Sequence, residues 1–406
     1  MPASNLSDRQ RFDWLRLIRT EGVGPRTFRS LVNRFGGAGA ALEALPELAR
    51  GAGRAVSPPP AGEIEREMEQ ARRLGVRFVA MGEAAYPVAL AASQTAPPLI
   101  AVRGRLEVLA RPMVSIVGSR NASGMGLKFT EKLARELGDA GFVVVSGLAR
   151  GIDAAAHRAS LETGTVAVLA GGHGQVYPPQ NEPLLEELLE RGAAISELAF
   201  TQEPRARDFP RRNRIVAGLA LGVVVVEAAR KSGSLITARL ALEEGRELFA
   251  VPGSPLDPRA DGTNDLLRNR EAHLCRSAED VIEELRPQIG REPRLALFES
   301  PVDRAEDDGL DELDWLLPAA ASAPGETPET GMAGPWLDVG GQDGPEVDEP
   351  DEPGARLLSL IGPVAITTDD LARHSGMSAR AVQGALVELE MQGLVRRDTA
   401  GGYVLA

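Results

Sequence analysis

A single cysteine, Cys275, stands in a chain of 406 residues, which excludes an intrachain disulfide and any paired-cysteine zinc site. Histidine is nearly as scarce. His157, His173, His273 and His374 are too scattered to form a spaced metal-binding box, and no cofactor is expected. Long apolar runs are missing as well. The longest uncharged one, Ile215 to Val226, falls well short of the roughly 20 residues of a membrane helix. Residues 1–11 hold no apolar signal core. These shortages predict a soluble, cytoplasmic protein with no membrane partner. Lysine is the last shortage: Lys128, Lys132 and Lys231 stand among 45 basic residues, so arginine carries almost all the positive charge.

The formal net charge of −13 argues against a uniformly basic, nucleic-acid-coating surface, but it is unevenly distributed. Residues 299–352 hold 17 acids and one base, Arg304, while 1–298 are net +3 and 356–406 are neutral. The acidic segment is rich in proline and glycine and has no apolar period, so it reads as a disordered linker. Within it, Leu310 to Leu317 sets leucines and Trp315 among acids. That pattern fits a segment docking on a partner, or one packing back on its own protein. The predicted division is a helical hairpin domain over 1–56, a linker and helix over 57–79, and an α/β core over 80–290. The acidic linker over 291–354 and a winged helix over 355–406 complete it.

Phe12, Leu15 and Ile18 recur at helical spacing over 8–19 behind a Ser7 or Asp8 cap. Gly22-Val23-Gly24-Pro25 then breaks the chain before a second helix from Arg26 to Phe35. Seven arginines against three acids between Ser7 and Gly36 make this hairpin a candidate phosphate contact or a plain helical turn. From Pro112 the pattern is strand then helix. Apolar runs at 113–117, 142–146, 165–170, 223–226 and 247–251 each end in Gly or Pro or run into a polar turn. That rhythm predicts a Rossmann-like, doubly wound parallel sheet with ligands beyond the carboxyl ends of the strands. Near the end, a short helix at 369–374, a turn, a helix at 379–392 and a ribbon at 394–405 give helix-turn-helix order with a wing.

The turns after these strands carry the chemistry. Gly118-Ser119-Arg120 offers backbone amides, a hydroxyl and a planar guanidinium to an anion, although it is not a dinucleotide fingerprint. Ser146-Gly147 opens a second turn leading to Asp153 and His157, one helical turn apart. Those two could pair as a base, or each could fix the helix by a buried hydrogen bond. The densest signal is five arginines in 205–214, among them Arg211, Arg212 and Arg214, beside Phe209 and Asn213. Positive charge next to an aromatic ring suits a single strand, whose phosphates need neutralising and whose bases need a stacking surface. Arginines at a helix entrance oppose its dipole unless an anion binds there. Lys231-Ser232-Gly233-Ser234, at another helix start, adds a plausible phosphate contact.

Six stretches, in this order, resemble the DNA-processing protein A family. They are Ile116 to Arg120, Ser146 to His157, Ala167 to Gly172 with Tyr177-Pro178, Phe209 to Ile215, Lys231 to Ala238, and Phe249 to Gly253. They span residues 80–285, and the flanking parts resemble the family's longer members. The resemblance implies a non-enzymatic, single-stranded DNA-binding recombination mediator with an extended Rossmann fold. It would dimerise through that fold and load the RecA recombinase during natural transformation, with single-strand-binding protein a further candidate partner. It implies a DNA site at Arg120, Phe209, Arg211, Arg212, Arg214 and Lys231. Leu266 to Ala272 departs from the family's usual pattern in a region associated with self-association, and Ser196-Glu197 lacks the usual following Tyr-Pro.

Two other functions compete. The fold also resembles that of nucleoside-monophosphate phosphoribohydrolases, for which Glu227 would be the acid, but their Pro-Gly-Gly-x-Gly-Thr loop is missing. A duplex-binding regulator would need a basic recognition helix. Residues 379–392 instead carry Arg380 against Glu388 and Glu390.

Overall fold

The computed structural model describes residues 5–51, 56–290, 352–362, 365–398 and 401–406. The acidic stretch 291–351, including the 310–317 segment, lies outside the described residues. The chain opens with α1 (Asp8–Ile18), whose first turn is held by a capping box between Ser7 and Gln10. Gly22 turns the chain at φ 82°, and Pro25 starts α2 (Pro25–Phe35), where its missing N–H has no helical partner to lose. With α3 (Ala38–Gly51), these helices bury Leu17, Phe28, Leu31 and Leu45.

Three arginines of this domain hold it to the rest of the protein. Arg11 pairs with Glu83 at 2.6 Å, and Arg19 pairs with Glu67 of α4 (Ala61–Arg73) at 2.8 Å. Arg29 donates to the Ser93 and Ala96 carbonyls. A cluster that looked like a phosphate surface in sequence is, for these residues, an internal joint.

The core is a nine-stranded sheet in the order β1-β2-β6-β5-β4-β3-β7-β8-β9. Its first strands, β1 (Arg77–Ala80) and β2 (Leu99–Gly104), lie on either side of the short α5 (Val88–Ala91). The parallel part comprises β3 (Met113–Val117), β4 (Val143–Ser146), β5 (Thr165–Val168), β6 (Ala193–Ser196), β7 (Gly222–Val225), β8 (Glu247–Ala250) and β9 (His273–Leu274). The helices between them are α6 (Gly124–Asp139), α7 (Ile152–Ala159), α8 (Glu182–Leu188), α9 (Asp208–Leu219), α10 (Gly233–Glu243) and α11 (Asp261–Arg268), with α12 (Ala278–Leu285) last.

Two apolar layers sandwich the sheet. One includes Val114, Leu133, Phe142 and Phe249; the other includes Val145, Val166, Ile215 and Val223. Burial on both faces explains why these strands read as continuous apolar runs. The sheet is nevertheless mixed, because β1 and β2 are antiparallel. From β3 the chain first builds outward through β4, β5 and β6, then returns to add β7 on the other side. The switch point of the topology therefore lies between β3 and β7, where such sheets place their ligand sites.

The winged helix comprises α13 (Pro353–Leu360), α14 (Thr368–Ser375), α15 (Ala379–Met391), β10 (Val395–Arg397) and β11 (Tyr403–Leu405). It rests on α6. Lys128 pairs with Asp370 at 2.8 Å, and Ile366 lies so close to Gly124 that any side chain there would collide with it. Arg259 adds a 2.9 Å bond to the Ser359 carbonyl. Among the described residues, no helix is long and apolar enough to cross a membrane.

Candidate nucleic-acid interface

A concave site opens at the carboxyl end of the sheet, lined by Arg120, Gly147, Ala149, Arg150, Tyr177, Pro178, Phe209 and Arg212. It holds about 260 Å³, including space open to solvent. Its exposed elements are flat and cationic. The Arg120 guanidinium lies 5.1 Å from the Phe209 ring centroid, and Tyr177 meets the same ring edge-on at 5.4 Å and 68°. Phe209 is half-buried, so its ring is held while part of it remains accessible.

Backbone constraints set these groups in place. Gly118 ends β3 where a Cβ would lie 2.6 Å from Ile152, so only glycine lets the turn pass. The Ser119 hydroxyl accepts the Asn121 N–H, and the Ser119 carbonyl accepts the Ile152 N–H, which fixes the loop carrying Arg120. On α9, Asn213 donates to the Gly233 carbonyl at 3.4 Å and ties this helix to the turn after β7. In that turn Ser232 caps α10, accepting the Ser234 N–H, and its hydroxyl lies 2.7 Å from that of Ser234. Ser234 is buried and Lys231 is exposed.

The cations divide into two groups. Arg120, Arg205, Arg207 and Lys231 are exposed, and among the described residues none pairs with a carboxylate. Arg212 is different. It is 7 % exposed and donates to the Gly147 and Val168 carbonyls, with Asp153 as its nearby counter-charge. Gly147 has no side chain because the Arg212 guanidinium fills that space. Burial lowers the pKa of Arg212 and raises that of Asp153, and each charge offsets part of the other's shift. Arg212 thus forms the floor of the site, where the sequence pattern had placed a strand contact. Ser146 corrects in the same way: it is fully buried, with its hydroxyl donating to the Ile116 carbonyl. Arg214 is also engaged, 2.5 Å from Glu197 and bonded to the Thr95 carbonyl. Arg211 is intermediate, half-exposed and 3.2 Å from the same Glu197.

Neither catalytic candidate is available. Asp153 accepts the Gly147 and Ala149 N–H groups, while His157 bonds the Thr165 hydroxyl at 2.8 Å, so the two do not form a base pair. Burial pushes the His157 pKa down to about 3, leaving the ring neutral and inaccessible at physiological pH. Glu227 turns inward to α6, where its carboxylate accepts the Ser123 N–H at 2.9 Å and hydroxyl at 2.5 Å. It occupies the helix entrance that a phosphate takes in nucleotide-binding relatives of this fold. Tyr177 and Arg150 line the site without having been singled out as contacts in sequence. The Tyr177-Pro178 pair was visible only as a matching motif.

Similar proteins agree with this architecture. The family model described as DNA recombination-mediator protein A matches residues 77–286. A DprA-like N-terminal HHH domain matches 8–70, and a DprA winged helix domain matches 342–401. Protein Smf of Escherichia coli (strain K12) is 35 % identical over 79 % of this chain and 74 % of its own length. DNA processing protein DprA of Bacillus subtilis (strain 168) is 38 % identical over 55 % of this chain and 76 % of its own. The X-ray structure of DNA processing protein A from Streptococcus pneumoniae superposes with a TM-score of 0.58 and 30 % identity, covering 69 % of this chain and 99 % of that one. On the sequence motifs, the sheet topology and these matches together, the chain belongs to the DNA recombination-mediator protein A family.

Proposed function

We propose that the protein is a non-enzymatic mediator that binds single-stranded DNA in the cytoplasm and delivers it to a RecA-type recombinase during transformation. The observation that carries this is the Arg120–Phe209–Tyr177 cluster at the strand ends, flanked by the exposed Lys231. A cation beside an aromatic face suits a phosphate next to an unstacked base, and a paired duplex does not offer that base. Arg120, Lys231, Arg205 and Arg207 would neutralise phosphates, joined by the backbone of Gly118, Ser119 and Gly233. Phe209 would stack a base. Arg212, Asn213, Ser146 and Gly147 would hold these groups in place.

The exposed edge of the sheet suits self-association. Among the described residues β9 is the last strand of the sheet and carries Leu274 half-exposed, and Leu256, in the loop after β8, is largely open to solvent. Such an edge is a template for pairing with a second copy unless covered. A homodimer through the Rossmann domain would cover it. Fluorescence anisotropy with single- and double-stranded oligonucleotides at two salt concentrations tests the DNA site. The expected outcome is preferential single-strand binding that weakens in Arg120→Ala, Lys231→Ala and Phe209→Ala. Wild-type affinity in all three would remove the site. Mass measurement of Leu274→Asp tests the dimer, which should dissociate.

A further inference from the structure

The winged helix presents an apolar stripe where a duplex-reading domain presents polar contacts. Gly384, Val387 and Met391 follow one another along one face of α15, and Leu394 continues the line beyond its end. Val387 is 53 % exposed, Met391 84 % and Leu394 44 %. Ala406 donates its N–H to the Leu394 carbonyl, which brings the end of β11 and its exposed Leu405 alongside. A Cβ at Gly384 would meet nothing, so the stripe has an open, shallow section. The opposite face of α15, with Val382, Leu386 and Leu389, is already buried in the domain. The attachment to α6 uses Asp370 of α14 and Ile366 instead, so holding the domain does not require this stripe.

Phosphates gain nothing from valine, methionine and leucine, which favours a peptide as occupant. Arg380 is exposed at the amino-terminal end of the stripe, and among the described residues it pairs with no acid, while Glu388 and Glu390 of α15 flank the stripe. An occupant therefore needs apolar residues at helical spacing, with acids that can reach Arg380. Residues 310–317 of this chain have that pattern. Leu310, Leu313 and Leu317 are spaced i, i+3, i+7, with Asp311, Glu312 and Asp314 between them. The connection from 317 to 353 can extend on the order of 100 Å at about 3.3 Å per residue. A domain of this size has a radius of gyration of only about 10 Å. Tethering also supplies an effective concentration in the millimolar range, enough for a small apolar contact to form.

We propose that the stripe formed by Val387, Met391 and Leu394 is the docking site for residues 310–317 of the same chain. The contact folds the acidic segment against the winged helix and covers a face that would otherwise attract other apolar surfaces. Hydrogen exchange of the full chain tests this, comparing wild type with Met391→Asp, Leu313→Asp and a deletion of 303–320. Met391 is so exposed that its substitution leaves the domain core untouched. Exchange across 384–394 should be several-fold slower in wild type than in all three variants, independent of protein concentration. Equal exchange in all four proteins would overturn the proposal. Slowing that grows with concentration, with cross-links between isotopically distinct copies, would assign the stripe to a second copy and overturn the same-chain contact. Slowing only after duplex DNA is added would likewise overturn it in favour of a nucleic-acid face.

Discussion

Along α9, Arg211, Arg212 and Arg214 direct their guanidinium groups at protein acceptors, whereas Arg120 and Lys231, on the turns after β3 and β7, remain open to solvent. The helix holds the densest positive charge in the sequence, yet most of that charge builds the site. The turn after β3 holds one cation and the turn after β7 two, of which Arg230 pairs with Asp265 at 3.2 Å while Arg120 and Lys231 face outward. The difference has a geometric cause. α9 packs on the sheet beneath the strand ends, so its inward positions are buried and must find carbonyls or carboxylates. A turn that leaves the sheet carries its side chains beyond the packed layer. Charge density in sequence therefore marks the place, and burial decides which charges can meet a ligand.

The largest test of this division is Arg212→Met. The change leaves the buried Gly147 and Val168 carbonyls without their donor, which costs about 1–3 kcal/mol, so chemical unfolding should show a loss of that order. If the variant kept its stability and lost only DNA affinity, Arg212 would belong with the turns. Acid should discriminate in the same direction. His157 and His173 are fully buried with pKa values lowered to about 3 and about 4. Their unfolded forms take up a proton near pH 6.5 and the folded forms do not. Stability is therefore complete above pH 6.5 and falls as the pH drops toward 3–4. At pH 5 each should cost about 2 kcal/mol. Neither histidine lines the site, so affinity per folded molecule should hold over the same range while the melting temperature falls. Next in size is Phe209→Ala, expected to weaken single-strand binding by about 1–3 kcal/mol with little change in melting temperature.

Much of this site was legible in the sequence because its turns are short and local. Gly118-Ser119-Arg120 and Lys231 to Ser234 sit at ends of apolar runs, so strand spacing alone places them on one edge of the sheet. The outer strands were harder to see. β6 is Ala-Ala-Ile-Ser, too small and short for a strand signature, and β1 lies across the expected boundary at residue 80. The fate of Arg212 and Ser146 could not be read from local pattern. It depends on Gly147 and Val168 arriving from other strands, which only the tertiary packing decides. Glu197 was likewise invisible as a partner, since its distance in sequence from Arg211 and Arg214 follows no helical period.

The smallest expected effects belong to the exposed cations, and they separate the turns from the helix most finely. Arg120→Gln and Lys231→Gln should each lower the slope of log affinity against log salt by about 0.7, the signature of one lost phosphate contact on a single strand. Arg211→Gln should do less. Arg211 already has Glu197 as a counter-ion, and a phosphate would have to displace that carboxylate or share the guanidinium with it. Arg211 is half-exposed, and the buried Glu197 keeps Arg214 as its partner at 2.5 Å, so the fold should survive the change. A slope change equal to that of Arg120→Gln would show that Glu197 releases Arg211 to DNA, moving this residue from the helix's structural group to the strand-facing one. A slope unchanged from wild type would leave Arg211 with Arg214, held by the same buried carboxylate.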